Sequence, residues 1–476
     1  MTSHAPADLE ASSTVRPIVE RLSLRRDANL SLGEDGQFVL ARSGDALVFS
    51  DLSAELADTV RRLSEGDGVR MQGHGSTNGG AGSEPQRSLL AALQANAWIT
   101  STLYEGGTPL AALEPTGTTL RVCGEGSAAR SIPRLSRFCV MHTSDGQAVL
   151  ESPRTATRMI LHDPSLGALL VALAQGNGPA SVDANAHRSK AVIELLERGG
   201  LLADADEHTS QRLVQWNLHD MLFHQHSRVG RSLRPFGGTY HLRPRFELPR
   251  RRVPRGTGRI GLERPALETL ARSDPPLQAV IEQRRSIRQH DDENPISRQQ
   301  LSEFLYRTTS DRPADYLPGP RRPYPGGGAM YELQVYPMVR LCDGVDAGLY
   351  WYDSTEHALA LVCADRSLTG RLLQSARRST DQPAEPQVLL IIAARVGRMM
   401  WKYERMPYAA VLKHVGVLIH QFYLVATALG LAPCGIGGGD SEAFAVASGV
   451  DPYEEPNVGE FMLGSRPAET TELKVV

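Results

Sequence analysis

The sequence predicts an α+β chain in which two winged-helix-like modules precede a larger α+β domain. The first observation behind this prediction is the length of 476 residues, which suits about three domains. The second is a repeated pair of amphipathic helices in the first half of the chain. The third is an alternation of apolar strands and helices in the C-terminal part. Hydrophobic residues make up 41% of the chain, enough for each domain to bury a core.

Charge, cysteine content and hydropathy argue against several classes of protein. The net charge of −3 gives no indication of a nucleic-acid partner. Five cysteines without a C-x-x-C pair indicate a reducing compartment. No signal-peptide pattern is found, and polar residues interrupt the longest apolar stretch, Val411–Leu431. We therefore expect a cytoplasmic protein without a membrane partner. The glycine-rich stretch Gly73–Ser83 lacks a Gly-Lys-Ser/Thr ending, so we expect a surface loop rather than a phosphate-binding loop.

Two helix pairs in the first half indicate a diverged duplication. The first helix recurs after 110 residues, with Leu56, Val60, Leu63 and Gly66 matching Leu166, Leu170, Leu173 and Gly176. The second helix and the strand after it recur after 103 residues, with Leu90, Leu93 and Trp98 matching Ile193, Leu196 and Leu201. Each copy begins with strand-like runs, which predicts winged-helix-like modules at residues 1–126 and 127–212. Chance similarity of two amphipathic helix pairs is the alternative.

The connecting segment, predicted at residues 213–274, is rich in arginine and poor in carboxylates between Ser227 and Arg259. Such a run is usually a solvated linker, and the competing interpretation is an anion-binding strap across the catalytic domain or a partner. Three histidines precede it, but no cysteine or carboxylate set completes a metal site, so no metal is expected. These histidines are His219, His224 and His226.

The C-terminal domain, predicted at residues 275–476, alternates strand-like and helical patterns. The strand-like segments are Leu333–Leu341, Gly348–Tyr352, Ala358–Val362, Val388–Ala394 and Val458–Leu463. Helices are expected at Ser297–Arg307, Ser367–Ala376 and Ala409–Gly430. The last of these is apolar almost all round, so we expect it to be buried, and a dimer interface is a natural place for it.

Three segments of this domain suit a flat ligand that carries a phosphate. Arg284-Arg-Ser-Ile-Arg288 places guanidinium groups on both sides of a hydroxyl, an arrangement that can bind one dianionic phosphate. The glycines of Tyr324-Pro-Gly-Gly-Gly328 let the backbone approach a ligand closely. A second glycine turn, Gly430–Asp440, follows the buried helix and could present N–H groups to a ring edge. No G-x-G-x-x-G pattern follows an N-terminal strand, so a Rossmann dinucleotide site is not supported.

In this order and spacing, the three segments resemble the nitroreductase superfamily of FMN enzymes over residues 275–467. More narrowly, Trp401–Arg405, Leu412–Gly416 and Ala432–Gly438 resemble SagB/ThcOx-type azoline dehydrogenases, and Trp216–Arg231 resembles the segment that precedes the catalytic domain in that family. The resemblance implies that FMN is bound by Arg284, Arg285, Ser286, Arg288, Pro325, Gly326, Gly327, Gly328, Ile436, Gly437, Gly438 and Arg466. It also implies that the turn at residues 326–328 contacts the flavin of the opposite subunit.

The resemblance assigns catalysis to Lys402 and Tyr403. Oxidation of an azoline removes a proton from the ring α-carbon and a hydride from the adjacent carbon, and the hydride goes to the flavin. The proton needs a base, and a lysine in a positively charged, partly desolvated site can serve. The phenol of Tyr403 could pass the proton on or orient the lysine. Without the resemblance, a surface lysine beside a packing tyrosine would be the preferred interpretation.

The implied function is therefore the FMN-dependent oxidation of thiazoline or oxazoline rings to thiazoles or oxazoles in a ribosomally synthesised precursor peptide. A cyclodehydratase would supply the substrate and form a complex with a homodimer of this chain, and the front modules would resemble peptide clamps. Two alternatives remain open at this stage. One is an NAD(P)H-dependent nitro- or quinone reductase, which needs neither the Lys402-Tyr403 pair nor the long front half. The other is a non-catalytic peptide-binding scaffold, against which the intact basic segment argues.

Overall fold

The computed structural model describes residues 16–33, 35–42, 45–66, 68–71, 82–117, 132–178, 185–228, 235–251, 253–314, 319–380 and 385–468. The chain divides into two compact units, Met1–Arg234 and Pro235–Val476. Four features of the sequence analysis lie outside the described residues. They are most of the glycine-rich stretch, the cysteine at position 123, the extreme N-terminus and the module boundary at 126/127. The four described cysteines are free.

The first unit consists of antiparallel strands and paired helices. Its elements, in chain order, are β1 (Ile18–Leu24), β2 (Asn29–Leu32), β3 (Phe38–Arg42), β4 (Asp45–Phe49), α1 (Ala54–Ser64), β5 (Val69–Met71), α2 (Glu84–Ala95), β6 (Ile99–Glu105), β7 (Thr108–Pro115), β8 (Val140–Ser144), β9 (Gln147–Glu151), β10 (Thr157–Leu161), α3 (Leu166–Gln175), α4 (Ala186–Arg198), α5 (Gln211–Val214) and α6 (Leu218–His226). Both halves of this unit contain strands followed by a helix pair, but β5 lies between the helices of the first half, and in the second half only an isolated bridge at Leu202 stands where the terminal strand was predicted.

One seven-stranded sheet, of order β5-β1-β6-β7-β10-β9-β8, runs through the first unit, and β2, β3 and β4 form a separate three-stranded sheet. Strand β7 of the first predicted module pairs antiparallel with β10 of the second, with Leu113 opposite Met159. Strands of both predicted modules therefore share one sheet inside a single compact unit. The finer division at residue 126 stays a prediction.

The ends of α2 and α4 have the same backbone geometry at an offset of 103 residues. Each ends in a backbone hydrogen bond of 2.9 Å, from Trp98 N–H to the Leu93 carbonyl and from Leu201 N–H to the Leu196 carbonyl. The residue just before Trp98 or Leu201 is left-handed in both copies, with φ of 61° at Ala97 and 64° at Gly200. The equivalent side chains Trp98 and Leu201 are both buried. This repeated geometry supports the duplication that the sequence pattern indicates.

The first helix pair departs from the prediction at one end. Helix α3 ends before Gly176, which is left-handed with φ of 78°, as expected of a glycine cap. Helix α1 instead ends at Ser64, and its cap, Glu65, is extended. The left-handed glycine of this turn is Gly68 rather than Gly66, because the chain already leaves the helix in an extended conformation at Glu65.

The second unit is built on a seven-stranded antiparallel sheet of order β11-β14-β13-β12-β15-β17-β16. Its elements are β11 (Thr257–Gly261), α7 (Leu267–Ser273), α8 (Leu277–Gln283), α9 (Arg298–Thr309), β12 (Leu333–Val339), β13 (Gly348–Asp353), β14 (Ala358–Cys363), α10 (Arg366–Thr380), β15 (Val388–Ala394), α11 (Val396–Lys402), α12 (Pro407–Ala428), β16 (Leu431–Ile436), α13 (Ser441–Ser448) and β17 (Asn457–Ser465).

Helices cover both faces of this sheet. Leu390 and Ile392 of β15 belong to one apolar cluster with α9 and α12. Leu389 and Ile391 belong to another, with α10 and α13. Because alternate residues of a strand point to opposite faces, a strand covered on both sides is apolar throughout, as the sequence of β15 is.

Helix α12 is the core helix of the second unit, as its pattern predicts. Val411, Leu418 and Phe422 are fully buried in the cluster that it shares with α9. By length and composition alone it could also cross a bilayer, and it is the one such helix among the described residues. Half of its most apolar stretch is buried inside the protein, which is typical of a core helix.

The glycine turn predicted over Gly430–Asp440 is wrong in its first part. Residues Leu431–Ile436 form strand β16, which pairs with β17 over its whole length. Strand β16 lies at the edge of the sheet, where a strand tolerates Pro433 because no further strand needs its N–H. Only the residues after Ile436 form the turn.

The described part of the connecting segment after residue 235 is not a solvated linker. Three of its arginines form ion pairs with carboxylates of the second unit. These pairs are Arg251 with Asp311, Arg255 with Glu455 and Arg259 with Asp353. The carboxylates lie 60 to 200 positions further along the chain, so the local sequence did not reveal them.

Candidate active site

The basic segment, Arg284–Arg288, follows α8 and is hydrogen-bonded to the edge strand of the sheet. The buried Ile287 donates its backbone N–H to the Pro433 carbonyl of β16 at 2.8 Å. Arg284, Ser286 and Arg288 are exposed. The single apolar residue therefore anchors the segment and leaves its polar side chains available to a ligand.

Tyr423 of α12 organises this segment, and sequence reasoning missed it. Its hydroxyl lies 2.7 Å from the Ser286 Oγ and accepts a hydrogen bond of 2.8 Å from the Gly435 N–H. The guanidinium of Arg284 lies 5.3 Å from the centroid of its ring. Nothing in the local sequence separates Tyr423 from the other polar residues of this helix, such as Tyr408 and Gln421.

Further positive charge gathers beside this segment. Burial lowers the pKa of Arg466, and the nearby charge of Arg285 lowers it further. The Nε of Arg466 is buried without a hydrogen-bond partner. None of the described carboxylates forms an ion pair with Arg284 or Arg288. The exposed guanidinium groups of Arg284 and Arg288 suit an anionic ligand such as a phosphate.

The glycine turn after β16 is open on the ligand side. Ile436 is buried, whereas Gly437 and Gly438 are exposed. A Cβ added at Gly437 would meet nothing within 4 Å, so space for a ligand lies over this turn. Below it, a Cβ at Gly439 would lie 2.7 Å from Glu460 Oε1, and only glycine fits there.

A second cluster joins the other glycine turn to the predicted catalytic pair. The Lys402 Nζ donates a hydrogen bond of 3.3 Å to the Gly328 carbonyl. A Cβ at Gly328, which is left-handed with φ of 60°, would overlap both the Lys402 ammonium and the Tyr403 hydroxyl. The structure therefore brings together Lys402, Tyr403 and the Gly326–Gly328 turn, which Pro325 precedes in an exposed position.

A buried histidine and glutamate hold this turn, and sequence reasoning did not identify them. Gly327 donates its N–H to the His414 Nε2 at 2.7 Å, and the His414 Nδ1 lies 2.6 Å from Glu332 Oε1. Because Nε2 accepts a hydrogen bond, Nδ1 must carry the proton that is donated to the carboxylate. Ala329 and Tyr331, just after the turn, both have positive φ. Such backbone strain persists only where neighbouring contacts hold it, which is common at functional sites.

The two clusters lie on opposite faces of α12. His414 contacts the turn beside Lys402, whereas Tyr423 contacts the basic segment. At 3.6 residues per turn and 1.5 Å rise, nine positions correspond to about 13 Å along the axis and about half a turn around it. Within one protomer, therefore, the two clusters do not face one ligand from the same side of α12.

Two family models match the chain. Residues 133–233 match the model described as cyanobactin oxidase ThcOx, and residues 281–464 match the nitroreductase family. This combination confirms the resemblance to SagB/ThcOx-type enzymes. MJ1384 of Methanocaldococcus jannaschii, which is named as a nitroreductase, is 30% identical over 164 residues, or 34% of this chain and 78% of that protein.

Solved structures also match the chain at low sequence identity. A nitroreductase of Ralstonia eutropha JMP134 is 22% identical, with 46% of this chain and 96% of that chain covered and a TM-score of 0.37. The Escherichia coli microcin synthetase McbBCD complex with truncated pro-MccB17 bound is 23% identical, with 39% and 70% covered and a TM-score of 0.34.

Nitroreductases with FMN in the crystal are also among the matching structures. The one from Bacteroides fragilis NCTC 9343 is 17% identical, with 42% of this chain and 95% of that chain covered and a TM-score of 0.26. FMN is the cofactor on which this family depends. The matched catalytic domain, together with the relative from Methanocaldococcus jannaschii, shows that the chain is an oxidoreductase that belongs to the nitroreductase family.

Proposed function

We propose that this oxidoreductase is an FMN-dependent azoline dehydrogenase, which oxidises thiazoline or oxazoline rings to thiazoles or oxazoles in a ribosomally synthesised precursor peptide. The observation that carries the proposal is the half-buried Lys402-Tyr403 pair, in which the Lys402 Nζ lies 3.3 Å from the Gly328 carbonyl oxygen. A nitro- or quinone reductase would not need this pair. The cyanobactin oxidase match at residues 133–233 supports a peptide substrate.

The residues present fit FMN. Arg284, Arg285, Ser286, Arg288 and Arg466 would hold its phosphate and ribityl chain, and the orphaned Arg466 Nε supports an anionic ligand there. Ile436, Gly437 and Gly438 would lie along the ring system, in the open space above the turn. Pro325 to Gly328 would contact the flavin of the opposite subunit. When bound, FMN accepts the hydride that leaves the azoline ring.

Lys402 would accept the proton from the ring α-carbon, while Tyr403 would orient it or pass the proton on. After proton transfer, the Gly328 carbonyl accepts a hydrogen bond from the ammonium, so it stabilises the protonated base. His414 positions this carbonyl indirectly, because it holds the preceding N–H of Gly327 and is itself held by Glu332.

A homodimer forms part of the proposal. The two clusters lie on opposite faces of α12, so a complete site would combine the basic segment of one copy with the Lys402 cluster of its partner. Apolar side chains of α8 and α12 are exposed in the single chain, which supports burial against a second copy. They are Leu277, Ile281, Leu412 and Val417, with 67%, 46%, 38% and 38% of their surface exposed. Light scattering at micromolar concentration should give the mass of two chains.

The first unit would bind the precursor peptide or a partner cyclodehydratase through its two winged-helix-like halves, and we propose that the enzyme works in the cytoplasm. The repeated helix ends at an offset of 103 residues support two related halves. A cavity of about 320 Å³ in this unit is lined by residues of both halves, among them Ile99, Leu113 and Thr157. An apolar cavity of this kind suits a peptide side chain.

Two alanine variants, one at the proposed base and one in the basic segment, test the proposal. Lys402→Ala should retain FMN, measured by absorbance, and should slow azoline oxidation by about 10²–10⁴, measured by mass spectrometry as the loss of two hydrogens per ring. Arg284→Ala should weaken FMN binding by roughly tenfold or more, because a charge-assisted hydrogen bond to the phosphate is lost, yet regain turnover when excess FMN is added.

Wild-type turnover in FMN-loaded Lys402→Ala would contradict the proposal. So would NADH-driven reduction of a nitro compound or quinone without any azoline oxidation, which would favour the reductase alternative. Tyr403→Phe separates the roles of the pair. It should lower the rate as much as Lys402→Ala if the phenol carries the proton, and less if it only orients the lysine.

A further inference from the structure

A strap of chain lies along the helix that ends at Lys402. We define the strap as Gly237–Arg251. Its backbone follows α11 in antiparallel order, from a bridge between Gly238 and Tyr403 to a hydrogen bond of 2.9 Å from Arg395 Nε to the Arg250 carbonyl. Between these ends, Trp401 Nε1 donates to the Phe246 carbonyl at 2.7 Å, and Arg398 donates to the Pro249 carbonyl. The strap is thus seated on α11 at both ends and in the middle.

Tyr240 of the strap contacts the predicted base directly. Its N–H donates to the Lys402 carbonyl at 3.0 Å, and its ring centroid lies 5.6 Å from the Lys402 Nζ. The ring of Tyr403 lies 5.5 Å from the same nitrogen. The two rings and the Gly328 carbonyl therefore all lie close to the Lys402 Nζ. Both distances to the ring centroids lie within the range over which an aromatic ring attracts a cation.

The backbone at Tyr240 is strained in order to make this contact. Its φ is 54°, a left-handed conformation that glycine adopts readily and a bulky residue rarely does. Two residues earlier, Gly238 leaves room for the lysine, because a Cβ there would lie 3.3 Å from Lys402 Cε. Trp401 also contacts the Tyr240 ring edge-on, with 5.5 Å between the two ring centroids. An aromatic side chain kept at a strained position suggests a functional role.

We propose that Tyr240 is a positioning residue for Lys402, whose ring holds the ammonium against the Gly328 carbonyl. The proposal rests on the function proposed above, in which Lys402 takes the proton. A ring face attracts the charged ammonium much more than the neutral amine, so it favours the state that follows proton transfer. The strap is therefore part of the proposed catalytic centre.

The first test compares three side chains at position 240 in the full-length, FMN-loaded enzyme. Tyr240→Leu keeps an apolar side chain without a ring face and should lower kcat roughly two- to fivefold, with KM changed less than twofold. Tyr240→Phe keeps the ring and should restore kcat. Phe246→Leu removes an exposed ring elsewhere on the strap and should leave both constants unchanged. A rise in KM at constant kcat, or a failure of phenylalanine to restore kcat, would overturn the proposal.

A second measurement is independent of turnover. The sequence contains four lysines, Lys190, Lys402, Lys413 and Lys474, so reductive methylation with ¹³C-formaldehyde gives a simple NMR spectrum that Lys402→Arg assigns. The ring currents of Tyr240 and Tyr403 should shift the Lys402 signal upfield in the wild type and in Tyr240→Phe. In Tyr240→Leu the signal should move toward those of exposed lysines.

The two measurements distinguish the two proposals. An unmoved Lys402 signal in Tyr240→Leu would overturn the contact and with it the role of Tyr240. A signal that moves as expected, in an enzyme whose Lys402→Ala variant keeps full turnover, would support the contact and overturn the proposed base.

Discussion

At the scale of single residues, the buried carboxyl of Glu460 has a pKa that burial raises to about 7, while a hydrogen bond from Asn457 opposes the shift. Its Oε2 has no hydrogen-bond partner. Between about pH 4.5 and 7 the folded protein holds this proton and the unfolded chain has released it. The free energy of unfolding therefore falls as the pH rises through this window, by about 3 kcal/mol at most.

Glu460→Gln should remove this pH dependence, because an amide has no proton to lose and keeps an oxygen for the Asn457 amide. We expect the free energy of unfolding in urea to rise by about 1–3 kcal/mol at about pH 8 and to change little at about pH 5. Glu442→Gln, at an exposed position of α13, serves as the control and should show no such difference. Equal destabilisation by Glu460→Gln at both pH values would contradict the prediction.

At the scale of secondary-structure elements, the matched ends of α2 and α4 show how duplicated elements diverge. Each helix is followed by a left-handed residue, which is Gly200 in one copy and Ala97 in the other. Ala97 is the more strained of the two residues, because its Cβ disfavours the left-handed conformation by about 1–2 kcal/mol. Gly200 is additionally enclosed, since a Cβ there would lie 2.7 Å from Thr155 Cγ2.

Exchanging the two residue types should therefore have unequal effects. Gly200→Ala adds both the conformational strain and a steric clash, and should lower the free energy of unfolding by about 2–4 kcal/mol. Ala97→Gly should change it by less than about 1 kcal/mol, because relief of strain offsets the loss of a buried methyl. Denaturant unfolding of both variants measures the difference. If both variants lost a similar amount of unfolding free energy, Ala97 would not be strained in the way proposed, and the two helix ends would not be equivalent.

At the scale of the whole molecule, each compact unit has its own sheet and its own apolar core. The predicted cofactor and catalytic residues all belong to the second unit. The strap also belongs to it, since that unit begins at Pro235. Removal of the first unit therefore leaves Lys402, Tyr403 and Tyr240 together.

Deleting residues 1–234 should leave a protein that binds FMN and oxidises a short azoline peptide at a rate within about tenfold of the full chain. On the full-length precursor, kcat/KM should fall much further, because the proposed peptide-binding unit is gone. Flavin absorbance and mass spectrometry of both substrates measure this. A truncated enzyme that matches the full chain on the long precursor would show that the first unit does not bind it.

The sequence by itself determined the features that have a local signal. The strand Val388–Ala394 was predicted with its observed bounds, and the core helix was predicted from its nearly continuous apolar surface. The basic segment and the glycine turns were singled out because their residues are adjacent in the chain, whereas the Lys402-Tyr403 pair was singled out by the family resemblance. The duplication was visible as well, since its helices keep the spacing of their apolar residues.

Only the tertiary structure decided which distant residues meet. Glu332 lies 82 positions from His414, Ser286 lies 137 positions from Tyr423, and Phe246 lies 155 positions from Trp401. Hydrophobic periodicity describes how a segment faces its own surroundings and contains no information about such pairs. Strand β16 was missed for the same reason, because its proline and glycine are acceptable only at the edge of the sheet, a position set by β17. Long-range packing therefore decided what surrounds Lys402, a residue that only the family resemblance had singled out.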